Sequence, residues 1–229
     1  MPPERIRPGR RVAGLYAVTP DVDDVDMLVA KVAAAIDGGA RVVQYRNKTL
    51  PAPQRAMQAR ALAGLCALRG ALFIVNDDVA LARDANADGV HIGEDDGDLA
   101  STRAALGADR LVGVSCYGDF ERARAAVAHG ADYVAFGSFF VSRVKPGARR
   151  ARLDLLTRGR ALGVPLVAIG GITARNAPAL IAAGADAVAV ISDVFAPDDT
   201  SEVTRRARAI ATRFTTNTTH DDGPRHGGS

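Results

Sequence analysis

The stretch GADAVAV at 184–190 is a glycine, an alanine, a charged residue and then an apolar run, and it recurs three times upstream. The other copies are GARVVQ (39–44), NADGVHI (86–92) and GADYVAF (130–136). Their second-position alanines, Ala40, Ala87, Ala131 and Ala185, stand 47, 44 and 54 residues apart. Glycine, or Asn86, suits the left-handed residue that ends a helix, and alanine lets that end lie close to the next strand. Each copy therefore reads as a helix ending and a buried strand beginning. The spacing is two strand-helix units each time, as expected where alternate strands fill a barrel in layers.

Working outward, short β-branched runs alternate with Ala/Leu-rich segments of helical spacing. The runs predict strands at Leu15–Thr19, Arg41–Arg46, Leu72–Asn76, Gly89–Ile92, Leu111–Ser115, Tyr133–Gly137, Leu166–Gly170 and Ala187–Ile191. Helices are expected near 22–37, 53–69, 78–85, 98–106, 119–129, 152–162, 174–183 and 200–213. Near-continuous apolar strands are those of a parallel sheet covered on both faces. Eight such units predict a single-domain (β/α)₈ barrel over 13–214, with an open doubly wound sheet as the alternative. Residues 1–12 read as a polar extension and 215–229 as a disordered tail.

Composition narrows the function. The chain has 229 residues, 48% hydrophobic and 24% charged, and its longest uncharged stretch is 161–174. A membrane-spanning helix needs about 20 apolar residues, so no membrane association is expected. The basic start lacks the apolar core of a secretory signal. Two cysteines, Cys66 and Cys116, are too few for a disulfide framework and suit buried thiols of a cytoplasmic protein. A net charge of +3 with no tryptophan and interspersed acids argues against general nucleic-acid binding and fits phosphorylated small molecules. Self-association is left open.

In such a barrel the reactive face is the ring of loops after the strands. Polar residues and glycines collect there: Gln44-Tyr45-Arg46-Asn47-Lys48, Asn76-Asp77, His91, Asp96, Ser115, Ser142-Arg143-Val144-Lys145, Gly170-Gly171 and Ile191-Ser192. Two of the three lysines in an arginine-rich chain, Lys48 and Lys145, fall in these loops. A compact ammonium beside the Arg46 fork suits phosphate oxygens. Asp77 and Asp96 follow neighbouring strands and can share one Mg²⁺, whose shell substrate phosphates complete. Asp77 also suits the cap of a helix starting near Val79, and Asp96 a solvated loop. Beside the cations the metal reading is preferred. Gly170-Gly171 and Ile191-Ser192 suit a second phosphate. His91 reads more as a hydrogen-bonded barrel histidine than as a general base, and His129 as a helix-end cation. Two phosphorylated ligands point to group transfer with a diphosphate leaving group.

At these residues the sequence resembles the thiamine-phosphate synthase family. The matching segments are GLYAVTP, VVQYRNK, IVNDDVALA, ADGVHIGEDD, GVSCY, GADYVAFGSFF, VAIGGIT and AGADAVAVIS, in order from Gly14 to Ser192. The resemblance implies a Mg²⁺-dependent cytoplasmic transferase that joins hydroxymethylpyrimidine diphosphate to thiazole phosphate or its carboxylated form. It assigns Gln44, Tyr45, Arg46, Asn47, Lys48, Asn76, Ser115 and Lys145 to the pyrimidine diphosphate, and Asp77 and Asp96 to the metal. Arg46, Lys48 and Lys145 would stabilise the departing diphosphate. Ser142, Arg143, Val144, Gly171, Ile191 and Ser192 would take the thiazole phosphate. The family's Thr-x-Thr-Lys is here Ser142-Arg143-Val144-Lys145, so one hydroxyl is lost. A tautomerase-like or regulatory relative, which has no need of the diphosphate site, is one alternative. A non-catalytic phosphate- or RNA-binding module using the basic 143–152 segment is another.

Overall fold

The computed structural model describes residues 12–93, 98–141 and 150–215. The strands are β1 (Gly14–Val18), β2 (Ala40–Tyr45), β3 (Leu72–Asn76), β4 (Gly89–Ile92), β5 (Leu111–Tyr117), β6 (Tyr133–Gly137), β7 (Leu166–Ile169) and β8 (Ala187–Val190). They pair in parallel, in sequence order, and β8 returns to β1, closing the barrel. The helices are α1 (Val25–Asp37), α2 (Ala52–Arg69), α3 (Val79–Asp84), α4 (Leu99–Leu106), α5 (Phe120–Ala128), α6 (Asp154–Gly159), α7 (Ala177–Ala183), α8 (Ser192–Phe195) and α9 (Thr200–Thr215). The expected (β/α)₈ architecture is the one observed.

Differences from expectation are local. The four-residue α8 was not anticipated, being too short to show periodicity. The expected helix at 174–183 starts only at Ala177, because the Asn176 side chain turns back to accept from the Thr173 amide at 2.8 Å. Asp24, Asp78, Asp98 and Asp119 cap α1, α3, α4 and α5 by accepting from first-turn amides. The cap of α3 is therefore Asp78, and Asp77 is released from that role. Of the expected extension only Val12 is described, and it is fully buried; of the expected tail only Thr215 is described, as the end of α9.

Strand parity sorts the core into two shells. Tyr16, Val18, Val42, Ile74, Leu111, Tyr133, Ala135, Val167 and Ala189 fill the barrel interior. Their strand neighbours Ala17, Val43, Phe73, Val75, Val112, Val134, Phe136 and Val188 pack outward under the helices. Gly113 is required inside: a Cβ there would lie 2.0 Å from Tyr133 Cζ. The tyrosine ring occupies the space that a side chain on β5 would fill.

The recurrent segments explain how the bottom of the barrel is held. Gly39, Asn86, Gly130 and Gly184 all have positive φ, and the alanine after each is buried. The charged residue that follows has a role the pattern alone does not reveal. Asp88, Asp132 and Asp186 each accept, at 2.8 Å, from the backbone N–H of Phe73, Val112 and Leu166 on the preceding strand. Each aspartate clips an even strand to the odd strand before it.

Candidate active site

A cavity of about 770 Å³ opens at the C-terminal ends of the strands. Gln44, Arg46, Asn76, His91 and Ser115 line one part of it. Gly170, Gly171, Thr173, Ile191 and Ser192 line another, so the two expected ligand regions share one space.

The loop after β2 is shaped from beneath. Buried Thr19 both donates to the Arg46 carbonyl (3.0 Å) and accepts from its amide (2.9 Å). Asp21 accepts from the Lys48 amide at 2.8 Å and pairs with the Arg46 guanidinium at 3.3 Å. One threonine and one carboxylate thus fix the backbone that presents both cations. Asp77 sits at φ +62°, a left-handed conformation that aspartate tolerates better than most residues. Its amide donates to the His91 carbonyl at 2.8 Å, and its carboxylate meets Lys48 Nζ at 2.9 Å.

Two residues expected at the pyrimidine diphosphate are turned elsewhere. Tyr45 follows Gln44 on the same strand, so alternation sends it to the outer face. There its hydroxyl donates to Gln58 Oε1 at 2.9 Å, and burial pushes its pKa up to about 12. The Asn47 carboxamide braces its own turn, accepting from the amides of Thr49 (3.0 Å) and Leu50 (2.9 Å). Tyr45, Asn47, Lys48 and Asp77 are all absent from the described residues that line the cavity. Asp96, Ser142, Arg143, Val144 and Lys145 lie outside the described residues.

His91 is 7% exposed and bonded through both ring nitrogens, to the Tyr133 hydroxyl (3.1 Å) and to Ser115 Oγ (2.9 Å). His129 ends α5, its Nδ1 2.7 Å from the Ala125 carbonyl and away from the cavity. Gly170 and Gly171 answer to packing: a Cβ on Gly170 would lie 2.0 Å from Ser138 Oγ, and one on Gly171 2.3 Å from the Val141 carbonyl oxygen. The turn after β7 therefore closes directly onto the segment after β6.

Several cavity residues went unflagged in the sequence. Tyr16, Tyr117, Asp193 and Arg206 all line the space. Tyr16 was hidden in an apolar run, although it shares inward parity with the residues that fill the barrel. Arg206 comes from α9, beyond the last strand, where no loop-counting argument looks; it pairs with Glu202 at 2.8 Å.

Magnesium takes hard oxygen ligands and needs only one or two protein carboxylates when substrate phosphates share its shell. Asp77, at the barrel mouth beside Lys48, supplies a donor of that kind.

Residues 15–194 match the family model described as thiamine monophosphate synthase. The thiamine-phosphate synthase of Chromobacterium violaceum is 56% identical over 204 residues, covering 89% of this chain and 97% of that one. Its counterpart in Azoarcus sp. is 57% identical over 192 residues, covering 83% and 93%. Among solved structures, thiamine phosphate pyrophosphorylase from Pyrococcus furiosus is similar with a TM-score of 0.78 at 30% identity, covering 90% of this chain and 98% of that one. The chain belongs to the thiamine monophosphate synthase family.

Proposed function

We propose that this chain is a transferase that joins hydroxymethylpyrimidine diphosphate to thiazole phosphate, or its carboxylated form, giving thiamine phosphate and diphosphate. The supporting observation is the single cavity that runs from Gln44, Arg46, Asn76 and Ser115 to Gly171, Ile191 and Ser192. Two phosphorylated reactants held in one space meet the proximity requirement for transfer.

In this reading the bond between the pyrimidine methylene carbon and the diphosphate oxygen breaks with its electron pair going to oxygen. The thiazole nitrogen then donates its pair to that carbon. Arg46, Lys48 and Lys145 stabilise charge gathering on the departing diphosphate. Gln44, Asn76 and Ser115 orient the pyrimidine. Gly171, Ile191 and Ser192, with Ser142, Arg143 and Val144, hold the thiazole phosphate. Asp77 and Asp96 would hold Mg²⁺, which when bound supplies further charge neutralisation at the diphosphate oxygens. No side-chain nucleophile takes part. A cytoplasmic location goes with this reading; among the described residues no helix is long and apolar enough to cross a membrane.

The test incubates the purified chain with Mg²⁺ and both precursors and follows thiamine phosphate and diphosphate together. Equimolar appearance of the two products, dependent on both precursors and abolished by chelation, is the expected result. Binding of either precursor without product overturns the assignment.

A further inference from the structure

The connection from β1 to α1, residues 19–24, is anchored on both sides of Asp21. Before it, the amide of buried Thr19 donates to the Gln44 carbonyl at 2.9 Å. After it, the fully buried Gln58 of α2 sends Nε2 to the carbonyls of Val22 (2.8 Å) and Asp23 (3.2 Å). Asn47 Nδ2 also donates to the Val22 carbonyl, at 3.2 Å. Tyr45 completes the brace by donating to Gln58 Oε1.

Backbone partners fix the orientation of both carboxamides. A turned Gln58 would set its oxygen against two carbonyls, and a turned Asn47 would aim N–H₂ at the amides of Thr49 and Leu50. Buried donors and acceptors mismatched in this way are destabilising. Tyr45 and Asn47, though turned from the cavity, thus hold the loop that carries Asp21.

The Asp21 carboxylate faces the loop after β2. It accepts from the Lys48 amide, and its two oxygens lie 3.4 and 3.3 Å from one Arg46 nitrogen, Nη1. The Nε and Nη2 edge of that guanidinium, which can grip an oxyanion with two parallel bonds, meets no acceptor among the described residues. Arg46 lines the cavity and Asp21 does not. A carboxylate beside an anion site repels the anion. Its presence there is explained if its hold on Arg46 outweighs that repulsion.

We propose that Asp21 is a positioning residue for the transfer reaction, acting through Arg46. It fixes the guanidinium so that the open edge meets the anionic leaving group, and the Gln58 brace fixes Asp21. That the anion is a diphosphate rests on the function proposed above; the hold on Arg46 does not.

The test measures binding of inorganic diphosphate with Mg²⁺, the KM for each precursor and the urea midpoint. Asp21→Asn keeps an oxygen for the Lys48 amide and loses the charge that holds Arg46, while Asp21→Ala loses both. Inorganic diphosphate is expected to bind about 10-fold more weakly to the asparagine variant and about 30-fold more weakly to the alanine variant. The KM for the pyrimidine diphosphate should rise in the same order, with that for thiazole phosphate within about 2-fold and the midpoint of Asp21→Asn unshifted. Gln58→Leu, remote from the cavity, is expected to weaken diphosphate about 3-fold with thiazole phosphate spared. Tighter or unchanged diphosphate binding in Asp21→Asn, the result that charge repulsion alone produces, overturns the proposal. Equal losses for both precursors with a lowered midpoint also overturn it, since they show a structural role. Unchanged diphosphate binding in Gln58→Leu overturns the brace. Failure of the unsubstituted chain to bind diphosphate overturns the whole. Binding that weakens as expected, in a chain that forms no product, defeats the substrate assignment and supports the positioning role.

Discussion

Lys48 Nζ lies 2.9 Å from Asp77 Oδ2, so a cation assigned to the diphosphate and a carboxylate assigned to the metal are each other's partner across neighbouring loops. The Lys48 side chain is 54% exposed, and pairs so open to solvent contribute little to stability. The contact sets the relative position of two groups that the proposed function brings to the same anion.

Replacing Asp77 by asparagine isolates the charge, because asparagine tolerates the left-handed backbone at this position as aspartate does. Turnover at saturating substrates is expected to fall by about 100-fold or more, with stability changed by no more than about 1 kcal/mol. Thiamine phosphate formation and urea unfolding of Asp77→Asn measure the two. A large stability loss with turnover preserved would make Asp77 a structural residue.

Gly113→Ala puts a methyl 2.0 Å from Tyr133 Cζ, with barrel wall on every side. Overpacking of this kind is expected to cost about 3 kcal/mol, read as a lower urea midpoint. An unshifted midpoint would mean that the ring moves freely.

Burial pushes Cys66 and Cys116 from an ordinary pKa of 9.0 up to about 12. In the unfolded chain these thiols ionise near pH 9, while in the folded chain they stay neutral. Their contribution to stability is therefore complete below pH 9 and is lost as pH rises from about 9 toward 12. The native protein is expected to resist thiol reagents at pH 8 and to expose both cysteines only in denaturant. Rapid labelling of the native chain would contradict the burial of either one.

Val144, outside the described residues, stands where the family resemblance implies a second threonine. Val144→Thr is expected to lower the KM for thiazole phosphate about 5-fold, the worth of one hydrogen bond, without a comparable change in kcat. Steady-state kinetics with the pyrimidine diphosphate saturating give the answer. An unchanged or raised KM would show the missing hydroxyl to be unimportant.

The barrel was legible because its signals are periodic. Apolar strands, helical spacing and the four glycine-alanine junctions all repeat, and each repetition tests the same architecture. The site was legible only as far as loops reveal it. Gln44, Arg46, Asn76, Ser115, Gly171, Ile191 and Ser192 stand at or just past strand ends, and all line one cavity. Tyr45, Asn47 and Lys48 are adjacent to them in sequence but do not line the cavity. Strand alternation separates Gln44 from Tyr45, and a bracing carboxamide removes Asn47. Tyr16 and Tyr133 were concealed for the converse reason, since inside an apolar strand an aromatic with a hydroxyl reads as core until its partners are known.

The aspartate clips bear on how the chain could be rearranged. Asp88 to Phe73, Asp132 to Val112 and Asp186 to Leu166 each close within one strand-helix-strand passage, while the corresponding position on β2 is Arg41, a cation that cannot accept from an amide. Three passages thus carry their own fastening, and the first relies on its backbone ladder to β2 and β8. A circular permutant whose new ends fall between β2 and β3 would leave every fastened passage uncut.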